Sequence, residues 1–207
     1  NIMANSYLTF NETTTPANQT KFTYSAWIKR SKIGTDQTIF YNYKDSNNYG
    51  YIYFRSQNDI RYFDRVGGGD TAIFVTNRLF RDTSAWYHLV LQVDTTQGTA
   101  GDRIKFYVNG VQETFASSTI PNQNQALSLP REGTRTIASN NGGGNYFDGY
   151  QSHVAFVDST APAPTTFGET DSTSGIWKFK SPSGVTWGTN GFHLKFENSG
   201  ALGTDSS

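Results

Sequence analysis

Glu169-Thr-Asp171 is the pair of acids in this chain set two residues apart in the way that puts both side chains on one face of an extended segment. Two carboxylates facing a sugar outline a glycoside hydrolase. A third acid two residues on would complete a catalytic strand, but Thr173 stands there, and the proline-rich stretch from Ser159 to Thr166 leads into the pair in place of a strand. The expectation is a solvated turn or a cap, which ranks polysaccharide hydrolysis below binding and below architecture. His88, His153 and His193 are far from one another in sequence and fit no zinc or nucleophile–base spacing, so each reads as a satisfied or half-exposed sheet histidine. The chain has no cysteine and no G-x-S-x-G elbow, which leaves nucleophilic catalysis without a nucleophile. No catalytic residue is assigned.

Other residue types suit binding. Tyr49, Tyr51 and Tyr53 share one face of an extended run, with Ile52 and Phe54 on the other. On an open sheet face such a stripe makes a platform for sugar rings; under a loop or a neighbouring subunit it is packing. Asn140, Asn141 and Asn145, with Tyr146 and Asp148, offer amides and side-chain oxygens from a Gly-Asn loop. Calcium needs about six to eight oxygens. Asp45, Asp94 and Asp148, helped by Asn47 and Asn48, could supply some of them only by converging from separate loops, and Asp and Asn in loops commonly make turns. Gly67-Gly-Gly-Asp70 and Gly142-Gly-Gly144 lack the Lys-Ser/Thr and the helix of a phosphate loop, so they are turns. Asn11-Glu-Thr13 and Asn18-Gln-Thr20 fit the glycosylation pattern as a polar composition generates it by chance.

The elements that must position these residues are strands. Only 35% of residues are apolar while 15% are Phe, Tyr or Trp, so large rings supply much of the core. Phe22, Tyr24, Ala26 and Ile28 alternate with Thr23, Ser25, Trp27 and Lys29; aromatics on both faces predict a central strand covered on both sides. Leu89, Leu91 and Val93, and then Ile104, Phe106 and Val108, each face a core, and Asn109-Gly110 predicts a two-residue hairpin. A first strand is expected at Ser6 to Phe10, others at Thr38 to Tyr43, Ile60 to Asp64, Thr71 to Thr76 and Tyr146 to Asp158, and a last one at Gly191 to Phe196. That last strand either pairs with Ser6 to Phe10 or begins another domain. The Trp177 and Trp187 stretch reads as an irregular extension. Seventeen basic and seventeen acidic residues leave no net charge and no basic run for phosphates, which argues against nucleic acid, and no apolar run is long enough for membrane insertion.

Phe22-Thr-Tyr-Ser-Ala-Trp-Ile-Lys-Arg30, Trp86-Tyr-His-Leu-Val-Leu-Gln-Val-Asp94, Ile104-Lys-Phe-Tyr-Val-Asn-Gly110 and Tyr146-Phe-Asp-Gly-Tyr150, in this order, resemble the laminin-G/pentraxin branch of the concanavalin A-like sandwiches. The resemblance implies an all-β, antiparallel two-sheet jelly roll, a fold that binds more often than it catalyses. It also implies carbohydrate or calcium at the Asn140 to Asp148 rim. Phe80 to His88, Val93 to Gln97, Phe167 to Asp171, Gly188 to Phe192 and Ala201 to Ser207 resemble a module of tailed-bacteriophage structural and tail proteins. That likeness implies a virion component that binds host-surface polysaccharide or glycan, with other virion subunits or a second copy as partners; the alternative is an architectural virion domain without a ligand. The β-sandwich is expected over residues 1–196. Residues 197–207 are expected to be a loosely held linker to a following domain, with the chain a piece of a longer polypeptide.

Overall fold

Residues 5–207 are described by a computed structural model. Its strands in chain order are β1 (Leu8–Glu12), β2 (Lys21–Arg30), β3 (Gln37–Asp45), β4 (Asn48–Phe54), β5 (Ile60–Val66), β6 (Gly69–Thr76), β7 (Tyr87–Asp94) and β8 (Ile104–Val108), followed by β9 (Val111–Gln112), β10 (Phe115–Thr119), β11 (Gly133–Ile137), β12 (Gly149–Asp158), β13 (Gly168–Thr170), β14 (Trp177–Phe179) and β15 (Phe192–Leu194). Two single 3-10 turns, Ala100–Asp102 and Pro164–Thr166, are the helical elements among the described residues. A seven-stranded sheet, ordered β1-β11-β3-β4-β5-β6-β10, faces a six-stranded sheet, ordered β15-β12-β2-β7-β8-β9. Every pairing is antiparallel. This is the expected jelly-roll sandwich.

Alternation decides which side chains fill the space between the sheets. Phe22, Tyr24, Ala26 and Ile28 of β2 are buried in a common core with Ile52 and Phe54 of β4, Leu89, Leu91 and Val93 of β7 and Ile104, Phe106 and Val108 of β8. Rings make up much of it, with Tyr24 stacked on Phe40 at 5.0 Å and Phe22 on Phe156 at 5.7 Å between centroids. β2 lies between β12 and β7, and its outer face is covered as well: Thr23 Oγ1 donates to Pro162 O, and Trp27 stacks on His88. The Asn109-Gly110 turn joins β8 to β9 with φ of 50° and 76°, the left-handed pair that a two-residue hairpin requires.

Several expectations change. The first strand is Leu8–Glu12, and it pairs with β11. The last strand pairs with Val154 to Phe156 of β12, so it closes this sandwich and does not pair with the first strand. Tyr146 precedes its expected strand, which starts at Gly149. Glu169 lies in a short strand after all, because β13 and β14 form a separate two-stranded hairpin that takes in Trp177. The polar stretch after Glu197 stays exposed, yet it returns to the sheet: Asp205 bridges Leu194, the His193 N–H donates to Asp205 Oδ1 at 2.9 Å, and the Ser206 N–H donates to His193 O at 2.9 Å.

Candidate functional site

β3 is bulged between Thr38 and Phe40, and from Phe40 on it alternates in step with β4, so while Phe40, Ile52 and Phe54 point into the core, Tyr41, Tyr49, Tyr51 and Tyr53 point to the outer face of the seven-stranded sheet. Register brings them together. Tyr41 pairs directly with Tyr51, their rings 5.3 Å apart and 7° from parallel, and Tyr49 lies parallel to both at about 6 Å. Phe63 of β5 extends this floor against Tyr51 at 5.1 Å. Tyr53 closes one end and is only 9% exposed, whereas Tyr41, Tyr49 and Tyr51 are half-buried. Arg61 stands beside Tyr53 in the register, and Arg65, held by Asp70, stands beside Tyr49.

The Gly-Asn loop overhangs this floor. The Thr38 N–H at the start of β3 donates to Asn145 O at 2.7 Å, which ties the loop to the sheet, and Asn140 N–H to Gly144 O at 3.1 Å closes the loop on itself. Together they enclose a groove of about 400 Å³ lined by the four tyrosines, by Asn140, Asn141 and Asn145, and by Asp36 and Thr38. Asn140 lines the groove, and its Oδ1 is buried without a hydrogen-bond partner. Gly144, at φ 126°, leaves room for that amide, since a Cβ there would lie 3.0 Å from Asn140 Oδ1. Burial raises the Tyr51 hydroxyl to about 12, with Tyr53 adding to the shift and Arg61 opposing it. Burial, then Tyr49, Tyr51 and Tyr43, also raise Tyr41. Both phenols therefore stay protonated at neutral pH and can donate to a ligand oxygen as well as stack against a ring.

Six of the seven residues expected to bind carbohydrate, Tyr49, Tyr51, Tyr53, Asn140, Asn141 and Asn145, thus meet in one groove. Tyr146 does not join them; it turns away to pack on Tyr7 at 6.0 Å. Tyr41, Asp36 and Thr38 were not singled out in the sequence. Tyr41 carries the same signal as the stripe on β4, a half-buried outward tyrosine beside a core Phe40.

The sequence matches a laminin-G model of the concanavalin A-like lectin/glucanases superfamily over residues 3–164. The chain belongs to this family. Among solved structures, this laminin-G-type module is similar to a native heptameric SAP-like pentraxin of Limulus polyphemus, at 18% identity and a TM-score of 0.52, with 76% of this chain and 71% of that one covered. It is similar to the NanB sialidase of Streptococcus pneumoniae at 16% identity and a TM-score of 0.53. That alignment covers 80% of this chain and 30% of the sialidase, so the module spans under a third of that protein. The mouse laminin α1 chain, domains LG4-5, aligns at 13% identity and a TM-score of 0.49, with 67% of this chain and 33% of that one covered. For the pentraxin and the sialidase, at such identities, the likeness is one of fold. No curated protein matches this sequence.

A calcium ion held by Asp45, Asp94 and Asp148 does not fit the laminin-G-type module. Asp94 pairs with Lys21 at one end of β2, while Asp148 precedes the Gly149 that pairs with Arg30 at the other end, about 30 Å along a ten-residue strand. Asp45 lies in the other sheet, where its oxygens accept from Asn47 N and from Asn48 Nδ2. Asp94 is taken up by Lys21, Thr96 and Gln97. Among the described residues, no three His, Cys, Asp or Glu side chains gather to hold a metal.

The remaining polar clusters do not support catalysis. Ser25 Oγ lies 2.8 Å from His88 Nε2, the outline of a nucleophile and its base. The Trp177 indole N–H, which can only donate, reaches His88 Nδ1 at 2.8 Å and so fixes the proton on Nε2. Nε2 therefore donates to Ser25 and cannot take its proton. Asp171 Oδ1 accepts from Thr173 N and Ser174 N, and Lys178 Nζ lies 2.9 Å from Asp171 Oδ2 and 3.7 Å from Glu169. These donors hold Asp171 far below the ordinary carboxylate range, the opposite of what a general acid needs. His153 and His193, far apart in sequence, do meet: Nδ1 of one lies 3.4 Å from Nε2 of the other, at a bulge where His153 has φ 48°.

Proposed function

We propose that this laminin-G-type module is a non-catalytic glycan-binding domain whose site is the groove between the tyrosine floor and the Asn140 to Asn145 loop. One observation carries the reading. Two segments about ninety residues apart in the chain meet to form a groove of sugar-compatible character, with aromatic rings below and amides and hydroxyls at the side. The resemblance of several phrases to tailed-phage proteins supports a further step, that the module sits on an exposed virion component and that its ligand is a host-surface glycan.

A glycan array followed by titration calorimetry, with and without calcium, tests this. Tyr51→Ala and Asn140→Ala should each weaken binding about tenfold or more, equivalent to losing about 1.4 kcal/mol of contact, while Tyr146→Ala and Glu169→Gln should bind as the parent does. Moderate salt should change little, because the groove offers a single carboxylate and otherwise neutral groups. The reading fails if no glycan binds, or if binding survives the loss of Tyr51 and Tyr49 together. Release of reducing ends would establish an enzyme instead.

A further inference from the structure

Three Asn-Gly dipeptides occur in this chain, at Asn109-Gly110, Asn141-Gly142 and Asn190-Gly191. Each carries the same latent chemistry. The backbone nitrogen after an asparagine can attack the side-chain carbonyl carbon, and glycine, lacking a side chain, obstructs this least. The structure treats the three very differently.

Asn109 is locked: its Oδ1 accepts from the His88 N–H at 2.8 Å, its own N–H donates to His88 O at 2.9 Å, and Gly110 is pressed against the Trp177 ring. Asn190 is locked more firmly. It is 2% exposed, its Nδ2 donates to Thr14 O at 2.7 Å, its N–H donates to Asp158, and Gly191 backs onto Trp187 O. Asn141 is exposed at the lip of the groove, as is Gly142, which has φ 77° and open space around it. Neither the Asn141 amide nor the Gly142 N–H takes part in a hydrogen bond among the described residues; the bonds that shape the loop, Asn140 to Gly144 and Gly143 to Asn140, bracket them.

We infer that Asn141 is a site of spontaneous deamidation and isomerisation. The Gly142 nitrogen bonds to Cγ of Asn141, and the carbon–nitrogen bond of the side-chain amide breaks. The amide leaves as ammonia, carrying the proton that the backbone nitrogen gives up. The resulting five-membered imide is opened by one water at either carbonyl, giving aspartate or isoaspartate. One water is consumed, one ammonia is released, and no redox partner is needed. The product places a new carboxylate on the groove that Asp36 also lines and takes a chain of zero formal charge to net negative. This holds whether or not the groove binds a glycan.

Incubation of the folded protein at mildly alkaline pH, followed by peptide mapping with mass spectrometry, tests it beside a sample kept unfolded in urea. Unfolded, all three sites should convert. Folded, Asn141 should convert about tenfold faster or more than Asn109 or Asn190, because ring closure at those two first requires breaking the hydrogen bonds that hold their side chains. Isoaspartate should appear at residue 141, and Asn141→Gln, at an exposed position, should abolish the acidic species while leaving the melting temperature unchanged. An Asn141 that stays intact in the folded protein while reacting in urea would overturn the inference, as would equal conversion at all three sites.

Discussion

Arg30 and Arg135 are wholly buried, and although Nε of each lacks a partner, their terminal nitrogens find the acceptors that a buried guanidinium needs. Arg30 donates to Phe80 O at 2.8 Å and to Asn58 Oδ1 at 3.3 Å, and lies 4.2 Å over the Phe54 ring. Arg135 donates to Asn190 O at 2.7 Å and Pro130 O at 3.1 Å, lies 4.6 Å over Phe156, and has Glu12 at 3.7 Å. Burial lowers each only to about 10, so both are cations at neutral pH, and each pins distant loops to the core through carbonyls that a point charge on a flexible stem would not match. Arg135→Lys should therefore cost about 2 to 4 kcal/mol in urea denaturation, despite keeping the charge. A loss below about 0.5 kcal/mol would mean that the planar fork contributes little. The alternation of Phe22, Tyr24, Ala26 and Ile28 already points Arg30 inward, so its face was legible in the sequence. Its burial was not, because the carbonyl that accepts from it lies fifty residues away and arginine by itself reads as a surface residue.

The β13–β14 hairpin shows the same division at the scale of elements. Trp177 is wedged between Gly110 and Gly168, where an added Cβ would lie 2.5 Å and 2.6 Å from the indole, and its N–H holds His88. The Asn109-Gly110 turn was legible from its dipeptide, but strands of three residues are too short to show a period, so the seat of Trp177 could not be read. The groove repeats the pattern. Alternation gave the tyrosine face, while the loop that overhangs it is fixed by a hydrogen bond between Thr38 and Asn145, a closure no local signal encodes. Similarly, Asp45 and Asp94 each accept from the N–H two residues on, a local turn preference that says nothing of convergence. Gly110 and Gly67 both have left-handed φ, 76° and 59°, but Gly67 faces open space. Gly67→Ala should then cost about 1 kcal/mol of backbone strain, and Gly110→Ala about 1 to 3 kcal/mol more for displacing Trp177. Equal costs in parallel denaturation curves would show that the hairpin gives way freely.

For the whole molecule, with its acids and bases equal in number, the pH dependence of stability rests on a few buried groups more than on net charge. Burial lowers His88 to about 3; burial and then the neighbouring His153 lower His193 to about 4; and burial lowers His153 as well. Depressed histidines are neutral in the fold and take up protons near pH 6.5 once unfolded, so the stability they confer is complete above about 6.5 and is lost as pH falls toward their folded values. Asp64 works the other way. Burial raises it to about 7 although Ser128 N–H, Leu129 N–H and the Tyr62 hydroxyl all donate to it, so its contribution is complete below about 4 and is lost as pH rises through 7. Near pH 7 these effects largely cancel. Between about pH 6 and 4 the unfolded chain binds a proton on each histidine while the fold holds one on Asp64, so unfolding takes up protons and acidification must destabilise. The melting temperature should stay nearly level from pH 8 to 6.5 and fall steadily from 6 to 4, with a shallower fall in His88→Gln, whose ring no longer titrates. A melting temperature that rose on acidification would mean that Asp64 outweighs the histidines, and that the His153–His193 contact accepts a proton without loosening β15 from β12.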